Sequence, residues 1–581
     1  MLKSKSQQKQ QTFMYATLIM AVSTIVVKVL GLVFRIPLTA LLGDVNMAYY
    51  STAYEVYLPI YSIAMAGLPV AVARMVAQYV SENRYNDVKS VFKIAKKFFV
   101  ITGIVGFVLM FGIGYTVTVV AKNPNALPSM FVIAPCIIFC CALSLYRGYY
   151  EGLRNMFPTA ISSLIEAVCK LVLGYGFAWI VMNFYKGENV GAYAAAAAIF
   201  GITVGTAIAA LYVFIRHKVV GDSITQEMYL ASPPSFSNND IFKALIAISV
   251  PVVLGSLATQ ISGLIDVAMV QRQLHDGVAN DMSVFESQYR NLFADEAAWQ
   301  NIVNHPIMEG DKIVGYENQM HLFLYSSYRN QAYTFFNLVP TITAAVGVSA
   351  LPVLTMAWTK KDSASVKTNL ESMLKVITLI AFPAGLGLIA LAPEILNMLF
   401  HTEGTAVAAP LLRILGVAAC FAGMTTPMTN LLQAIGKPSV PVKNIAVGAI
   451  IKVVVNYVLV GIPSINILGA PIGTVCCYAY IAIADLYCIV KYSGVIPNMF
   501  TSIIKPFAAA GVCAVVAYFS NMLFATLLPG SRLAVIGALG VAAIAYIVAL
   551  AVFKCITKDD LLGLPKGEKL ARVCAKLHII R

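Results

Sequence analysis

Two stretches of the chain repeat each other, and both lie inside apolar sequence. Leu58–Ser90 reads LPIYSIAMAGLPVAVARMVAQYVSENRYNDVKS, and Val339–Asn369 reads VPTITAAVGVSALPVLTMAWTKKDSASVKTN. Each carries a proline (Pro59, Pro340), a run of small residues, a Leu-Pro pair (Leu68-Pro69, Leu351-Pro352) and a basic polar loop. The correspondence extends further. The segments starting at Tyr149 and Leu431 both place a glycine, a basic residue and a proline before a span with one lysine, Lys170 and Lys452. The segments starting at Gly191 and Gly469 also correspond. Shared membrane-helix composition alone does not explain the co-linear order. Duplicated halves with breakers at matching places point to alternating access, with Pro69 and Pro352 kinking the second and eighth spans as gates. A static bend at the same prolines is the plainer reading.

About fourteen apolar segments are long enough to span a bilayer. Of the 581 residues, 59% are hydrophobic and 12% charged, and the mean hydropathy is +0.78. A soluble globular chain carries roughly twice that charged fraction. The fold class expected is therefore an all-α polytopic membrane protein. It has two six-helix lobes around a central cavity and two extra C-terminal helices. Six spans per repeat give both halves the same orientation. The divisions expected are an N-lobe over 1–216, a flexible linker over 217–240, and a C-lobe over 241–491. The C-lobe includes an outer loop at 273–320. Spans thirteen and fourteen occupy 492–556, and a basic tail covers 557–581. Ser283 and Glu286 read as a capping box opening a helix through about Val303.

The net charge of +14 follows the membrane. Most Lys and Arg cluster in alternate loops, at Arg84–Lys97, Arg216–Lys243, Lys360–Lys375 and beyond Lys554. This bias puts both termini inside the cell and argues against nucleic acid as the partner. The tail places Leu570, Val573, Leu577 and Ile580 on one helical face, suited to anionic inner-leaflet lipid. The outer loop has eight Asp/Glu against two Lys/Arg.

Ionisable residues at bilayer depth each cost roughly 2.5–3.5 kcal/mol, so they face a cavity or a partner. Lys28, Arg35, Arg74, Lys170, Arg413 and Lys452 are the cations, and Glu55, Glu166 and Asp266 the anions. A basic surplus suits an anionic, phosphorylated substrate better than a drug cation. Lys28 and Arg35 are seven apart and share a helix face, and Arg35 and Glu55 are placed to meet. Glu166 and Lys170 have the spacing of an internal helix pair. Arg329 and Asp266 read as rim residues, and Asp485 as a snorkelling side chain. The eleven cysteines sit mostly in apolar runs as small fillers. There is no Walker A sequence, Gly-x-Ser-x-Gly elbow or His-Glu-x-x-His, so no enzyme activity, ATP site, metal or cofactor is expected. Coupling to a proton, sodium or the membrane potential stays open.

Four motifs carry a family resemblance: GLVFRIPLTALLG (Gly31–Gly43), AGLPVAVARMVAQY (Ala66–Tyr79), YRGYYEGLRNMFPTAISSLIE (Tyr146–Glu166) and GLIDVAMVQRQL (Gly263–Leu274). The chain resembles the polysaccharide-transporter branch of the multidrug/oligosaccharidyl-lipid/polysaccharide exporter superfamily. Within it, the chain resembles the stage V sporulation protein B group, related to the lipid II flippases. The resemblance covers nearly all of 13–490. It implies two lobes in a V and flipping of undecaprenyl-diphosphate-linked glycan across a bacterial inner membrane by a monomer. It makes Arg35 a candidate diphosphate contact. The related flippase pattern follows that arginine with Asp, whereas Ile36 stands here. Joined with the charge reading, the expected substrate contacts are Arg35, Lys28, Lys170, Arg413 and Lys452. Glu55, Glu166 and Asp266 would couple charge, and Pro69 and Pro352 would gate. A cation-coupled multidrug exporter of the same fold, or a membrane glycan polymerase or ligase, are the competing readings.

Overall fold

The computed structural model describes residues 13–222, 224–309, 312–528 and 531–555. The basic tail over 557–581 and the first basic cluster, Lys3 to Lys9, lie outside the described residues. Eleven described stretches are long and apolar enough to cross a membrane. The first of them, Val22–Ser81, covers two expected spans. The seventh and eighth expected spans fall on a 43-residue helix, Asn238–Asn280, and on the helical run Met320–Thr359. Together these account for the fourteen segments read from the sequence, and the chain is a multi-pass membrane protein.

The first helix, α1 (Phe13–Ser62), has 50 residues. At 1.5 Å per residue a straight helix of that length would run about 75 Å, more than twice the roughly 30 Å apolar core. The chain solves this at Gly43, whose φ of 75° and ψ of 166° fold the helix over between spans one and two. That region of backbone space is essentially reserved for glycine. A Cβ there would meet nothing within 4 Å, so the constraint is conformational and not steric. Gly43→Ala should therefore cost about 1–3 kcal/mol of stability. Gly31→Ala, also in open space but within regular helix, should be neutral or slightly stabilising. Thermal melting of the two purified variants checks this; equal melting temperatures would refute it.

The chain divides into two compact units: residues 1–275 with 300–323, and residues 276–299 with 324–581. In the first unit a π turn, Ile63–Gly67, interrupts the regular ladder between α1 and α2 (Leu68–Ser81), just before Pro69 with its missing N–H. The helices α3 (Tyr85–Val120), α4 (Leu127–Ile133) and α5 (Cys136–Gly152) follow. Then come α6 (Phe157–Cys169), α7 (Tyr175–Phe184) and α8 (Val190–Val219). A π turn at Lys170–Gly174 joins α6 to α7. Apolar helices gain little from burial against each other in lipid, so close packing holds them. The contacts are made at glycines. A Cβ on Gly148 of α5 would lie 2.6 Å from the Pro69 carbonyl oxygen, and one on Gly201 of α8 would overlap the Gly174 backbone.

The expected flexible linker is instead clasped onto the first unit. Arg84 stacks on the Phe236 ring at 3.6 Å, and its Nη2 donates to the Pro234 carbonyl at 2.9 Å. Asp87, fully buried, accepts from the Phe236 N–H at 2.8 Å and pairs with Arg84 at 2.6 Å. Asn86 binds the Ser232 hydroxyl and the Tyr229 carbonyl of the short helix α9 (Gln226–Leu230). The Tyr149 hydroxyl donates to Asp222 at 2.5 Å. The polar composition that reads as flexibility supplies these bonds. Burial around the clasp pushes the Tyr229 phenol up to about 12. After the clasp, α10 (Asn238–Asn280) continues well past its membrane length.

The outer loop departs from expectation. The helix read as running to Val303 is two short ones, α11 (Met282–Tyr289) and α12 (Glu296–Val303). The capping box does not form: Asp281 is the N-cap residue, and the Ser283 hydroxyl donates to the Asp281 carboxylate at 2.8 Å. The Tyr289 hydroxyl anchors α11 by donating to Asn466 at 2.6 Å. A two-stranded antiparallel hairpin follows, β1 (His305–Glu309) and β2 (Lys312–Glu317), with a bulge between Ile307 and Met308. It is the one sheet among the described residues. The Gly310-Asp311 dipeptide between two short apolar runs was its sequence signal.

The chain continues with α13 (Met320–Ser326), whose residues from Leu324 on belong to the second unit, then a π turn at Ser327–Ala332, α14 (Tyr333–Phe336) and α15 (Leu338–Thr359). It ends with α16 (Ser363–Ala390), α17 (Ala392–Leu399), α18 (Gly404–Ala434), α19 (Ser439–Val460), α20 (Gly469–Ser493), α21 (Lys505–Leu527) and α22 (Arg532–Val552). Asp362 caps α16 by accepting from the Ser365 N–H and hydroxyl, which holds its carboxyl below the usual range. The central α18 packs Met428 and Leu432 against Leu374 and Ile377 of α16. A Cβ on Gly473 of α20 would overlap the Asn456 carboxamide of α19. The corresponding span pairs of the two units both meet at a glycine, though at different positions of the repeat. Pro352 falls within α15, a continuous α-helix; its side chain lies outside what the structure describes.

Candidate functional site

In the first unit, α1 delivers side chains both before and after Gly43. The first arm carries Lys28 and Arg35. The second carries Tyr50, Tyr54, Glu55, Tyr57 and Tyr61. Spacings of four, three and four put the tyrosines on one helical face. Their rings run as a ladder, with centroids 6.0 Å apart for Tyr50–Tyr54, 6.0 Å for Tyr54–Tyr57 and 5.2 Å for Tyr57–Tyr61. Phe34 extends it at 6.2 Å from Tyr50. The Tyr57 hydroxyl sits 3.4 Å and 3.2 Å from the sulfurs of Cys136 and Cys140 on α5.

Lys170 reaches this ladder from the end of α6. Its ammonium lies over the Tyr54 ring at 4.8 Å and over Phe34 at 5.2 Å. Arg35 and Lys28 lie within electrostatic reach of it. Arg35 and Glu55, the two residues expected to meet, both lie within electrostatic reach of Tyr54. Glu55 is buried, Arg35 half-buried and Lys28 exposed. Three of the five expected substrate contacts therefore gather, with Lys28 and Arg35 in electrostatic reach of Lys170, whose ammonium rests on aromatic faces.

The expected Glu166–Lys170 helix pair is not made. Glu166 turns to Arg147 of α5, whose Nη2 donates to Oε2 at 2.5 Å while its Nε donates to the Ser162 hydroxyl at 2.9 Å. The Thr206 hydroxyl of α8 donates to the other Glu166 oxygen at 3.2 Å. The physical reason is twofold. A guanidinium makes stronger, more directional bonds to a carboxylate than an ammonium, and the π turn starting at Lys170 interrupts the regular register beside it. Arg147 is a site residue the sequence reading passed over, although it stands inside the most specific family motif and within an apolar span.

The remaining residues separate. Asp266 on α10 is buried, not a rim residue, and so is Arg329, stacked on Tyr333 at 4.0 Å. In the second unit Lys452 on α19 is buried within electrostatic reach of Tyr478 on α20. Gly448 stands where the first repeat has Glu166, so the second repeat has a lysine without that carboxylate. Arg413 is exposed on α18. Asp485 does not snorkel: it is fully buried, accepts from Asn444 at 2.7 Å, and leaves its second oxygen without a hydrogen bond. Among the described residues no cluster of His, Cys, Asp and Glu is arranged for a metal.

Comparison with known proteins bears on this geometry. The family model described as polysaccharide biosynthesis protein matches residues 14–305, just over half of the chain, and the MatE model matches 330–458. Stage V sporulation protein B of Bacillus subtilis (strain 168) is 23% identical over 564 residues, covering 96% of this chain and 98% of that one. Lipid II flippase MurJ of the same organism is 21% identical over 483 residues, covering 80% of each. Among solved structures, an inward-facing multidrug resistance MATE family transporter superposes with a TM-score of 0.60 at 13% identity, covering 82% of this chain and 98% of the other. Lipid II flippase MurJ in an inward closed conformation gives 0.60 at 14% identity, covering 92% and 98%. These structural likenesses establish the fold.

Proposed function

The chain belongs to the polysaccharide biosynthesis protein family, as a transporter of the multidrug/oligosaccharidyl-lipid/polysaccharide superfamily related to MurJ and stage V sporulation protein B, and on that premise we propose that it flips a polyprenyl-diphosphate-linked glycan across the bacterial inner membrane. The observation that carries the reading is the basic group of Lys28, Arg35 and Lys170 at membrane depth. A diphosphate offers matching negative charge. At an effective dielectric near 20, one ion pair at ~4 Å is worth about 4 kcal/mol before desolvation. Three cations can thus offset the cost of bringing a diphosphate into apolar surroundings.

The remaining expectations follow as parts of this proposal. Glu55, Glu166 and Asp266 exchange partners with the cations as the transporter changes state. Arg413 and Lys452 are the candidate substrate contacts of the second unit. The π turn before Pro69 is the bending point of the second span, and Pro352 serves the eighth. Helices α21 and α22, which have no counterpart in either repeat, offer an apolar wall for the prenyl tail. The chain acts as a monomer with both termini inside and without a cofactor, driven by a proton, sodium or the membrane potential. Its basic tail rests on anionic lipid.

Arg35→Ala should abolish flipping of a fluorescent polyprenyl-diphosphate glycan in reconstituted vesicles while leaving expression and melting temperature close to the parent. Unchanged flipping removes Arg35 from the site. The rival drug-exporter reading draws on the MatE match over 330–458. Ion-driven efflux of cationic dyes from the same vesicles, with no lipid movement, would replace the proposal with it.

A further inference from the structure

The first unit keeps a carboxylate beside its basic group and yet does not let it neutralise Lys170. We propose that Arg147 is a positioning residue for phosphate recognition: it holds Glu166 away from Lys170, so that the lysine is left open to an anionic ligand instead of a helical carboxylate. This rests on the flippase reading for its consequence, but not for its geometry.

The geometry is specific. Residues four apart on an α-helix are neighbours on one face, and Glu before Lys is the favourable order. Left to local preference, Glu166 and Lys170 would close on each other and cancel. Arg147 competes from α5 at 2.5 Å. Ser162, on the same helix as Glu166, fixes the guanidinium through its Nε at 2.9 Å. Thr206 occupies the second carboxylate oxygen from α8. Each Glu166 oxygen thus accepts a bond from another helix, and Arg147 is itself buried. The Lys170 ammonium rests on ring faces, Tyr54 at 4.8 Å and Phe34 at 5.2 Å, with Arg35 and Lys28 within electrostatic reach. Aromatic faces steady an ammonium without cancelling its charge. In the second repeat Lys452 corresponds to Lys170, and the carboxylate position is Gly448. No carboxylate therefore stands one helical turn before the lysine of the second repeat.

Two measurements test the idea. The first needs no substrate. Reductive methylation of Lys170 in the purified full-length protein is followed by mass spectrometry of its peptide. Arg147→Met should free Glu166 to pair with Lys170 and slow its modification at least fivefold. Adding Glu166→Gln should restore the rate to within twofold, and Arg147→Lys should keep it near the parent. An unchanged rate in Arg147→Met overturns the proposal. So does a slowed rate that Glu166→Gln fails to restore. If Arg147→Met does not fold, Glu166→Gln alone decides: it should leave the Lys170 rate within twofold of the parent, and a large fall overturns the proposal. The second measurement is binding of undecaprenyl diphosphate in detergent. Arg147→Met should weaken it tenfold or more, and Arg147→Met/Glu166→Gln should recover it. If the parent binds no polyprenyl diphosphate while the methylation pattern holds, the flippase reading fails and the positioning role stands.

Discussion

Reversing the charge at Lys170 by Lys170→Glu is expected to abolish movement of polyprenyl-diphosphate glycan altogether. The ammonium lies among Tyr54, Phe34, Arg35 and Lys28. At about 5–6 Å and an effective dielectric near 20, one unit charge acting on another is worth roughly 3 kcal/mol. Reversal counts that twice, so the anion loses on the order of 6 kcal/mol, or about four powers of ten in affinity. The variant should still fold. The new carboxylate sits near Lys28 and Arg35, which can pair with it, and Glu166 remains bound to Arg147. Flipping and binding assays on the same vesicle preparation check this. Full transport by Lys170→Glu would remove the basic group from the mechanism. The sign of the effect also separates substrates: a site for drug cations would bind them better after reversal, so gained dye efflux would support the exporter reading.

The parts of this site that were legible in the sequence are those carried by one helix. Lys28 and Arg35 share a face because they are seven apart, and Lys170 and Lys452 could be matched because their spans open with the same Gly, basic residue and Pro. Span positions were legible because apolar length alone sets them; the glycine at which α1 folds back was not, because only its backbone angles mark it. What was not legible depends on a second helix. Helical spacing predicts that Glu166 finds Lys170; only the approach of α5 shows that Arg147 takes it first. Asp485 reads as snorkelling from its depth along α20, and only Asn444 on α19 shows that it stays inside. The linker reads as loose because it is polar, while Arg84, Asn86 and Asp87 of α3 and its lead-in supply partners for that polarity. The tyrosine ladder was open to discovery by its four, three, four spacing. It went unnoticed because aromatic residues at helical spacing in a membrane span usually serve packing.

Gly201→Leu should be the most damaging single change to the fold of the first unit. The helix α8 crosses the α6–α7 span where Gly201 faces Gly174, and even a Cβ on Gly201 would overlap the Gly174 Cα and nitrogen. The obstacle is backbone, which cannot rotate away as a side chain can. Overpacking a core costs about 1–3 kcal/mol where side chains can shift; here two helices must separate, and membrane helices have little but close packing to hold them together. The loss should therefore reach or exceed the top of that range. Separation would also carry Lys170 away, since the π turn that begins at Lys170 ends at Gly174. Gly176→Leu is the control. It lies two residues on, in α7, and a Cβ there meets nothing within 4 Å. Size-exclusion profiles and melting curves of the two purified variants should differ sharply, with Gly201→Leu largely aggregated or melting well below the parent and Gly176→Leu close to it. Matching behaviour of the two would mean that this crossing does not hold the unit together, and that the basic group is positioned by something other than the contact between these glycines.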